Sequence, residues 1–200
     1  MFWKLSAVLL VGAVPLLAPS DPQPVTSNSP GFAEAWKIDP GHSSAIFRVQ
    51  HLKAAPFYGR FNSISGSFSL GEGDGAMVEV EIATDSVDSG NVQRDKHLKN
   101  TDFFSAKEFP KLTFKSKSMK KVGADEYEVV GDLTLRGKTR EIQVMAQHTG
   151  TAEVHPRFGK RTGVETTFTI DRSDFGIDYG LEGDVLGDEV RITIALEGMK

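Results

Sequence analysis

The chain has 200 residues, a formal net charge of −4 at pH 7 and no cysteine. Without cysteine it cannot form disulfides, thiolate metal sites, a cysteine nucleophile or the lipid-modified cysteine of bacterial lipoproteins. The mildly acidic balance disfavours nucleic acid as a partner, because no basic stripe offsets it.

The N-terminal segment has the pattern of a secretory signal. Lys4 precedes an apolar run over residues 5–18. The run is shorter than the about 20 residues that span a bilayer. A charged start, an apolar middle and a small-residue exit are typical of signal peptides. The pattern does not distinguish cleavage at Ala18 from cleavage at Ala35. An uncleaved membrane anchor is the alternative interpretation.

A tether follows this segment. Residues 19–31 are rich in Pro and Ser, a composition that favours an extended linker. We therefore predict that residues 1–35 are signal peptide and tether, and that the protein is periplasmic or secreted. Residues 36–200 have the size of a single domain.

Eight segments of the predicted domain alternate between apolar and polar residues. This period of two predicts strands that bury one face and expose the other. The inward faces are Ala45, Phe47 and Val49; Ile64, Gly66, Phe68 and Leu70; Val78, Val80 and Ile82; Leu112 and Phe114; Tyr127, Val129, Gly131, Leu133 and Leu135; Ile142, Val144 and Ala146; Val164, Thr166, Phe168 and Ile170; and Val190, Ile192, Ile194 and Leu196.

Short glycine-containing connections separate several of these strands. They lie at residues 71–75, 123–125 and 137–138, and connections this short join antiparallel neighbours. Eight antiparallel strands predict an up-and-down barrel or a sandwich. A barrel leaves no exposed edges, and at eight strands its interior is filled by side chains or holds one small ligand. Phe61 is out of phase with Phe68, which predicts a β-bulge near Gly59.

The alternation is lost in a charged segment over residues 86–110. The segment has turn-like and helix-like parts and contains the adjacent pair Phe103 and Phe104. We predict a short helical, charged cap that closes one end of the barrel. The two phenylalanines are expected to anchor it.

Polar residues of the cap have two interpretations. Arg94, Asp95 and His97 are predicted to form a buried polar network that locks the cap, and a catalytic role is the alternative. No Gly-x-Ser-x-Gly elbow is present, so we predict no catalytic residue. The long connection over residues 171–188 is expected to shape the same barrel mouth.

The five histidines show no ligand spacing such as HxH or HxxxH, so no metal site is predicted. His51 and His148 continue the apolar faces of their strands. Both are therefore expected to point into the lumen near strand ends. Each is either a rim histidine bonded to a backbone carbonyl or a polar contact for the head group of a ligand.

Several landmarks occur together and in order from about residue 36 to the C-terminus. They resemble the YceI-like family of bacterial lipid-binding proteins. The landmarks are Ile38-Asp39-Pro40-Gly41-His42-Ser43, Phe47-x-Val49-x-His51-Leu52, Gly59-Arg60-Phe61, Asn91-x-x-Arg94-Asp95-x-His97-Leu98, Asp102-Phe103-Phe104, Pro110-x-Leu112-x-Phe114, Gly131-Asp132-Leu133-Thr134-Leu135-Arg136-Gly137 and Arg172-x-Asp174-Phe175-Gly176.

The resemblance implies an all-β, eight-stranded antiparallel, lipocalin-like β-barrel that holds a polyisoprenoid chain in the periplasm. An isoprenoid quinone or a polyprenyl phosphate is the implied ligand. Non-enzymatic binding, sequestration or transport is the expected function, with no cofactor beyond the bound lipid. The alternatives are a lipocalin-like enzyme with a lumen histidine as acid or base, and a structural barrel with a packed core. Transient membrane contact and a homodimer stay open.

The chain departs from the family pattern at Pro56-Phe57-Tyr58 and at Lys138. The resemblance therefore does not decide the shape of the pocket or the identity of the ligand. The residues predicted to contact the ligand are Phe47, Val49, His51, Phe57, Tyr58, Phe68, Val80, Ile82, Phe103, Phe104, Phe114, Val129, Leu133, Ile142, Val144, His148, Phe168, Phe175 and Ile192.

Overall fold

The structure is a computed structural model that describes residues 35–71, 76–153 and 155–200. The predicted signal peptide and nearly all of the predicted tether lie outside the described residues. No helix in these described ranges is long and apolar enough to cross a membrane.

The described part of the chain consists mainly of strands. They are β1 (Trp36–Ile38), β2 (Ser44–His51), β3 (Ala55–Phe61), β4 (Ile64–Ser69), β5 (Met77–Ala83), β6 (Val87–Asp88), β7 (Lys111–Lys121), β8 (Glu126–Leu135), β9 (Lys138–Ala152), β10 (Arg161–Asp171) and β11 (Leu186–Met199). The helix α1 spans Val92–Leu98, and 3₁₀ turns lie at Thr84–Ser86, Arg172–Phe175 and Glu182–Asp184.

The strands close into a barrel in which the paired neighbours are antiparallel. The order is β1-β4-β5-β7-β8-β9-β10-β11-β2-β3-β6, and β1 also pairs with β11. Only Asn62 and Ser63 separate β3 from β4, so these two strands form one bent strand. With β1 and β6 as short additions, the result is a closed eight-stranded antiparallel barrel. The predicted fold class is confirmed, and the sandwich alternative is wrong.

The alternation of side chains follows the prediction within the long strands. In β8, every second residue from Tyr127 to Leu135 is buried, including Val129, Gly131 and Leu133, while the alternate residues are partly exposed. Because each strand presents one apolar face to the interior, the barrel encloses an apolar space.

The β2–β3 hairpin corrects two expectations. The strand β3 was not predicted, because Pro56 and the adjacent Phe57 and Tyr58 obscure its alternation. The bulge predicted near Gly59 is wrong, since β3 pairs with β2 in unbroken register through this residue. Gly59 instead accommodates a ring, because a Cβ atom there would lie 2.2 Å from Cζ of Phe47.

Candidate ligand-binding cavity

The barrel encloses a cavity of about 340 Å³. Apolar side chains from strands around the whole barrel form most of its wall. The open end lies where α1 and the connection 171–188 meet the tip of the β2–β3 hairpin, and His51, Arg94 and Tyr179 lie there. We call this open end the mouth.

Most residues predicted to contact a ligand lie on the cavity wall. They are Phe47, Val49, His51, Phe57, Val80, Ile82, Phe103, Phe104, Phe114, Val129, Leu133, Ile142, Val144, Phe168 and Ile192. Their contact with a ligand stays a prediction.

Three predicted aromatic contacts lie elsewhere. Phe68 is 0% exposed and packs in the core near Gly198 of β11. Phe175 is 1% exposed and belongs to the same packed core. Tyr58 is 58% exposed, because it follows the inward-facing Phe57 and therefore points outside the barrel. The predicted placement of these three residues on the cavity is wrong.

His148 is also misplaced by the prediction. The inward series of β9 reaches the cavity wall at Ala146, and His148 lies beyond it. Its ring nitrogens lie 3.3 Å from Asp125 Oδ1, 3.1 Å from Thr151 Oγ1 and 3.2 Å from Thr162 Oγ1. These contacts are at the end of the barrel opposite the mouth. His148 therefore belongs to a polar cluster at that end, away from the mouth.

The helix α1 is held over the mouth by a polar network. Its N-cap residue Asn91 accepts hydrogen bonds from the backbone N–H groups of Gln93 and Arg94. The side chain of Arg94 donates to Ser89 Oγ (2.9 Å) and to the Ser89 carbonyl (2.7 Å). Asp95 accepts bonds from the backbone N–H and the hydroxyl of Ser89. The predicted network thus forms around the buried Ser89, although Arg94 is exposed and His97 is not part of it.

His97 belongs to an aromatic cluster that joins the cap to the connection 171–188. Its Nε2 atom lies 2.8 Å from Asp102 Oδ2. The imidazole ring makes edge contacts with Phe103 at 5.0 Å and with Tyr179 at 4.8 Å between centroids. Contacts of this kind stabilise by about 0.5–1.5 kcal/mol each. These ring contacts fix the position of the connection 171–188 relative to α1.

The phenylalanine pair anchors the cap as predicted. Phe103 is 8% exposed. The ring of Phe104 lies 5.2 Å from that of Phe61, and Phe61 lies 5.7 Å from Phe47 on the cavity wall. The pair therefore connects the cap directly to the lining of the cavity.

Arg172 organises the connection 171–188 and was not among the predicted site residues. Its buried guanidinium donates to the carbonyl oxygens of Gly187, Ile177, Tyr179 and Leu186 at 2.7–3.0 Å. Burial lowers the pKa of Arg172, while nearby acidic residues act in the opposite direction. A charge buried with this many acceptors holds the loop in one shape.

Arg94 and His97 were predicted as cap residues but not as residues of the cavity wall, on which both lie. Other mouth residues missed by sequence reasoning are Leu98 in the cap, and Ile177, Val185 and Leu186 in the connection 171–188. The available signal was the length of the two connections, because long loops in a compact domain are often functional. The period-two pattern does not extend into them.

One cluster among the described residues brings together groups that could ligate a metal. Asp39, His42 and Glu197 place their ligand atoms within 4.8 Å of one another. The side chain of Arg161 lies 3.4 Å from Asp39 Oδ2 and 3.7 Å from Glu197 Oε1. Because a guanidinium already balances both carboxylates, this cluster is an ion-pair network.

The comparison with known protein families agrees with the barrel fold. Residues 36–198 match the family model of the YceI-like domain. The chain belongs to the YceI-like family. It is 38% identical to Protein YceI of Escherichia coli O157:H7 over 172 residues, which is 84% of this chain and 88% of the relative. Identity to Protein YceI of Salmonella newport is 37% over the same length and shares.

Solved structures share the fold. The crystal structure of Burkholderia cenocepacia BcnA matches with a TM-score of 0.70 at 24% identity, over 80% of this chain and 98% of that chain. The Campylobacter jejuni YCEI protein matches with a TM-score of 0.65 at 27% identity, over 76% and 90%. A polyisoprenoid binding domain from Saccharophagus degradans matches with a TM-score of 0.64 at 19% identity, over 84% and 99%.

Proposed function

We propose that this YceI-like protein binds a polyisoprenoid lipid in its barrel cavity and releases it chemically unchanged. The observation that carries the proposal is the cavity of about 340 Å³ in the barrel, whose wall consists mostly of apolar side chains. A hydrocarbon chain is poorly soluble in water, and each CH₂ group that is buried in the cavity contributes roughly 0.8 kcal/mol to the free energy of binding. A few isoprene units therefore offer on the order of 10 kcal/mol before the costs of ordering the chain.

The polar residues at the mouth support a head group at that position. Arg94 and the ring of His51 reach the mouth and provide hydrogen-bond donors. An isoprenoid quinone and a polyprenyl phosphate both carry acceptor oxygens. We propose that the tail lies in the lumen and that one of these head groups remains at the mouth. The name of the Saccharophagus degradans domain supports the ligand class.

We also propose that the protein acts in the periplasm or outside the cell. The support is the charged start and apolar run of residues 4–18, which have the pattern of an export signal. Measuring the N-terminus of the protein recovered from cell fractions tests this proposal. Recovery of the unprocessed chain from the cytoplasm would contradict it.

Native mass spectrometry, followed by extraction of bound lipid, tests the proposed ligand. Val129 lines the cavity, while the next residue, Val130, lies on the outer face of β8. Val129→Phe places a ring in the lumen, and Val130→Phe adds the same volume outside the barrel. We expect wild type and Val130→Phe to carry a prenyl lipid and Val129→Phe to lose most of it. Equal lipid content in both variants, or none in wild type supplied with isoprenoid quinone, would overturn the proposal.

The same experiment separates the alternatives. Incubation of the protein with an isoprenoid quinone should return the quinone unchanged. Conversion to another species would favour an enzyme, and a cavity that stays empty in the presence of the quinone would favour a structural barrel. Fold alone does not decide between these functions.

A further inference from the structure

The cavity is small in comparison with a long polyisoprenoid tail. Its volume of about 340 Å³ includes the mouth, since His51, Arg94 and Tyr179 belong to its lining. An apolar protein cavity of about 150 Å³ holds one benzene molecule, that is, about six carbon atoms. At the same packing, a cavity of about 340 Å³ holds roughly 14 carbon atoms, or about three isoprene units. A tail of eight units exceeds this volume by more than about twofold.

Buried side chains lie between the cavity and the end of the barrel opposite the mouth. Met119 of β7 is directly opposite Val129 of β8, and Tyr127 of β8 is directly opposite Ala146 of β9. Residues directly opposite each other in antiparallel strands point to the same face. Because Val129 and Ala146 lie on the cavity wall, Met119 and Tyr127 also point inward. Each is 6% exposed and lies nearer the β7–β8 turn than the wall residues of its own strand.

Met119 and Tyr127 belong to one packed cluster. Ala76, Val129 and Val144 are the other buried members of this cluster. The rings of Phe114 and Phe168, which lie on the cavity wall, also pack against it. Packed side chains therefore bound this side of the lumen, and we call Met119 and Tyr127 the floor.

The other side of the barrel is filled near the same end. Leu196 of β11 lies on the cavity wall, and Gly198 follows two residues later on the same face. A Cβ atom at Gly198 would lie 2.7 Å from Cβ of Trp36 and 2.8 Å from Cζ of Phe68. Both aromatic side chains are buried. A lipid tail that reaches Leu196 therefore meets packed rings on this side.

Polar groups at this level also disfavour a hydrocarbon chain. Thr162 of β10 is directly opposite Gly198 and is 2% exposed. Its hydroxyl oxygen lies 3.2 Å from Nε2 of His148 and donates to the Gly150 carbonyl at 3.2 Å. A tail that displaced these contacts would leave buried polar groups without partners, which is costly.

We propose that the floor, Met119 and Tyr127, limits the bound tail to about three isoprene units. The ligand class is then a prenyl lipid with a short tail, and lipids with eight or more units are disfavoured. Each buried CH₂ group improves affinity roughly fourfold, so units that fit in the cavity add affinity and units beyond the floor add none. This inference rests on the proposed function and adds a length limit to it.

Competition among isoprenoid quinones tests the length limit. The quinones share one ring and carry two, three, four or eight isoprene units. The full chain is incubated with an equimolar mixture in detergent micelles, and the bound quinones are extracted and quantified by mass spectrometry. Every protein receives the same micelles, so the ratio between a variant and wild type cancels the preference of each quinone for the micelle.

Two substitutions move the floor in opposite directions. Met119→Ala deepens the cavity, and Ala146→Leu fills its deep end, because Ala146 lies on the wall opposite Tyr127. Met145→Ala is the matched control for Met119→Ala, since Met145 is 49% exposed on the outer face of β9. Thermal unfolding of each variant shows whether it is folded.

We expect wild type to take up the quinone with three units at least about tenfold better than the quinone with eight units. Met119→Ala should raise the ratio of four-unit to three-unit quinone about tenfold, because room for roughly three more atoms is gained and part of that gain is lost to ordering. Ala146→Leu should raise the ratio of two-unit to three-unit quinone by about the same factor. Met145→Ala should give the wild-type ratios.

Equal uptake of the three-unit and eight-unit quinones by wild type would overturn the length limit. Unchanged ratios in both floor variants, or the same shift in Met145→Ala as in Met119→Ala, would overturn the role of the floor. If truncation of the buried Met119 prevents folding, the wild-type ratios and Ala146→Leu decide. Binding of all four quinones without regard to length defeats the length limit alone and leaves the proposed function standing. If wild type binds none of them, both fail.

Discussion

The guanidinium of Arg94 in α1 lies over the ring of Phe57 in β3, with Cζ 4.3 Å from the ring centroid. Phe57 lies on the cavity wall and Arg94 lies at its mouth. A cation over an aromatic face stabilises by about 0.5–1 kcal/mol at an exposed site. This contact joins the cap to the β2–β3 hairpin, so we expect a change in the position of one to affect the position of the other.

Arg94→Ala removes this contact and both bonds to Ser89. We expect the free energy of unfolding to fall by about 1–2 kcal/mol and amide hydrogen exchange in α1 to accelerate. Arg94→Lys should restore part of the effect, because it keeps the charge and loses the paired bonds. Gln93→Ala, at the exposed neighbouring position, is the control. Unchanged exchange in α1 after Arg94→Ala would contradict the coupling.

Gly59→Ala should disturb the cavity wall. A Cβ atom at Gly59 would lie 2.2 Å from Cζ of Phe47, so the ring must move. Crowding of this kind typically costs about 1–3 kcal/mol, measured by urea unfolding. Combining Gly59→Ala with Phe47→Leu should recover part of the lost stability. If the double variant is no more stable than Gly59→Ala, the ring is not the cause.

Truncation of the cap anchors should weaken the fold. Phe103→Ala and Phe104→Ala each remove a ring that packs on another aromatic side chain. We expect each to lower the free energy of unfolding by about 3 kcal/mol and to speed release of a bound lipid. Phe158→Ala is the control, since Phe158 is 59% exposed and its loss should change stability by less than about 0.5 kcal/mol. Similar results at all three positions would show that the cap is an ordinary surface loop.

The histidines at the two ends of the barrel should behave differently. His51 lies at the mouth, while His148 is bonded to Asp125 at the opposite end. We expect His51→Gln to weaken binding of an isoprenoid quinone by at most about tenfold, the effect of one hydrogen bond. His148→Gln should leave affinity unchanged. A change in the chemical identity of the extracted lipid, or a rate loss of the order of 10²–10⁴ in any lipid conversion, would favour the enzyme alternative.

Stability should depend on pH through Asp39. The side-chain bond from His42 and the backbone N–H of Gly41 lower the pKa of Asp39. A carboxyl whose pKa is lowered by folding stabilises the protein above its unfolded pKa, and this contribution is lost as the pH falls through the folded pKa. Asp39→Asn should therefore lower Tm at neutral pH.

This difference in Tm between wild type and Asp39→Asn should shrink as the pH falls below about 4. Thermal unfolding over a pH series measures it. Asp171→Asn, at an exposed position, is the control and should follow wild type throughout. A difference that is the same at every pH would show that the charge of Asp39 is not responsible.

The inward and outward faces of the strands were predictable from the sequence. Phe47, Val80, Val129 and Ile192 lie on the cavity wall as the alternation predicts. The reason is local, since successive side chains of a strand point to opposite faces. The cap was predictable for a related reason, because residues that lose this period cannot continue a half-buried strand.

The height of a residue along the barrel was not predictable. Phe68 and Phe47 have the same inward phase, but Phe68 packs where β1 crosses between β4 and β11, and so it fills the core. His51 and His148 also share a pattern and lie at opposite ends. Alternation specifies the side of the sheet and contains no information about which distant strands meet at each level.

Alternation and short motifs were enough to predict most of the antiparallel strands, the apolar lumen, the position of the cap and the family. Which inward residues pack together, and which line a cavity, follows from how the strands meet in three dimensions. The same holds for the hydrogen bonds that Arg172 donates to four carbonyl oxygens, and for the position of Arg48 opposite Arg191. These relationships join residues far apart in the chain, and they depend on the register of strands and the course of loops, which a local pattern does not specify.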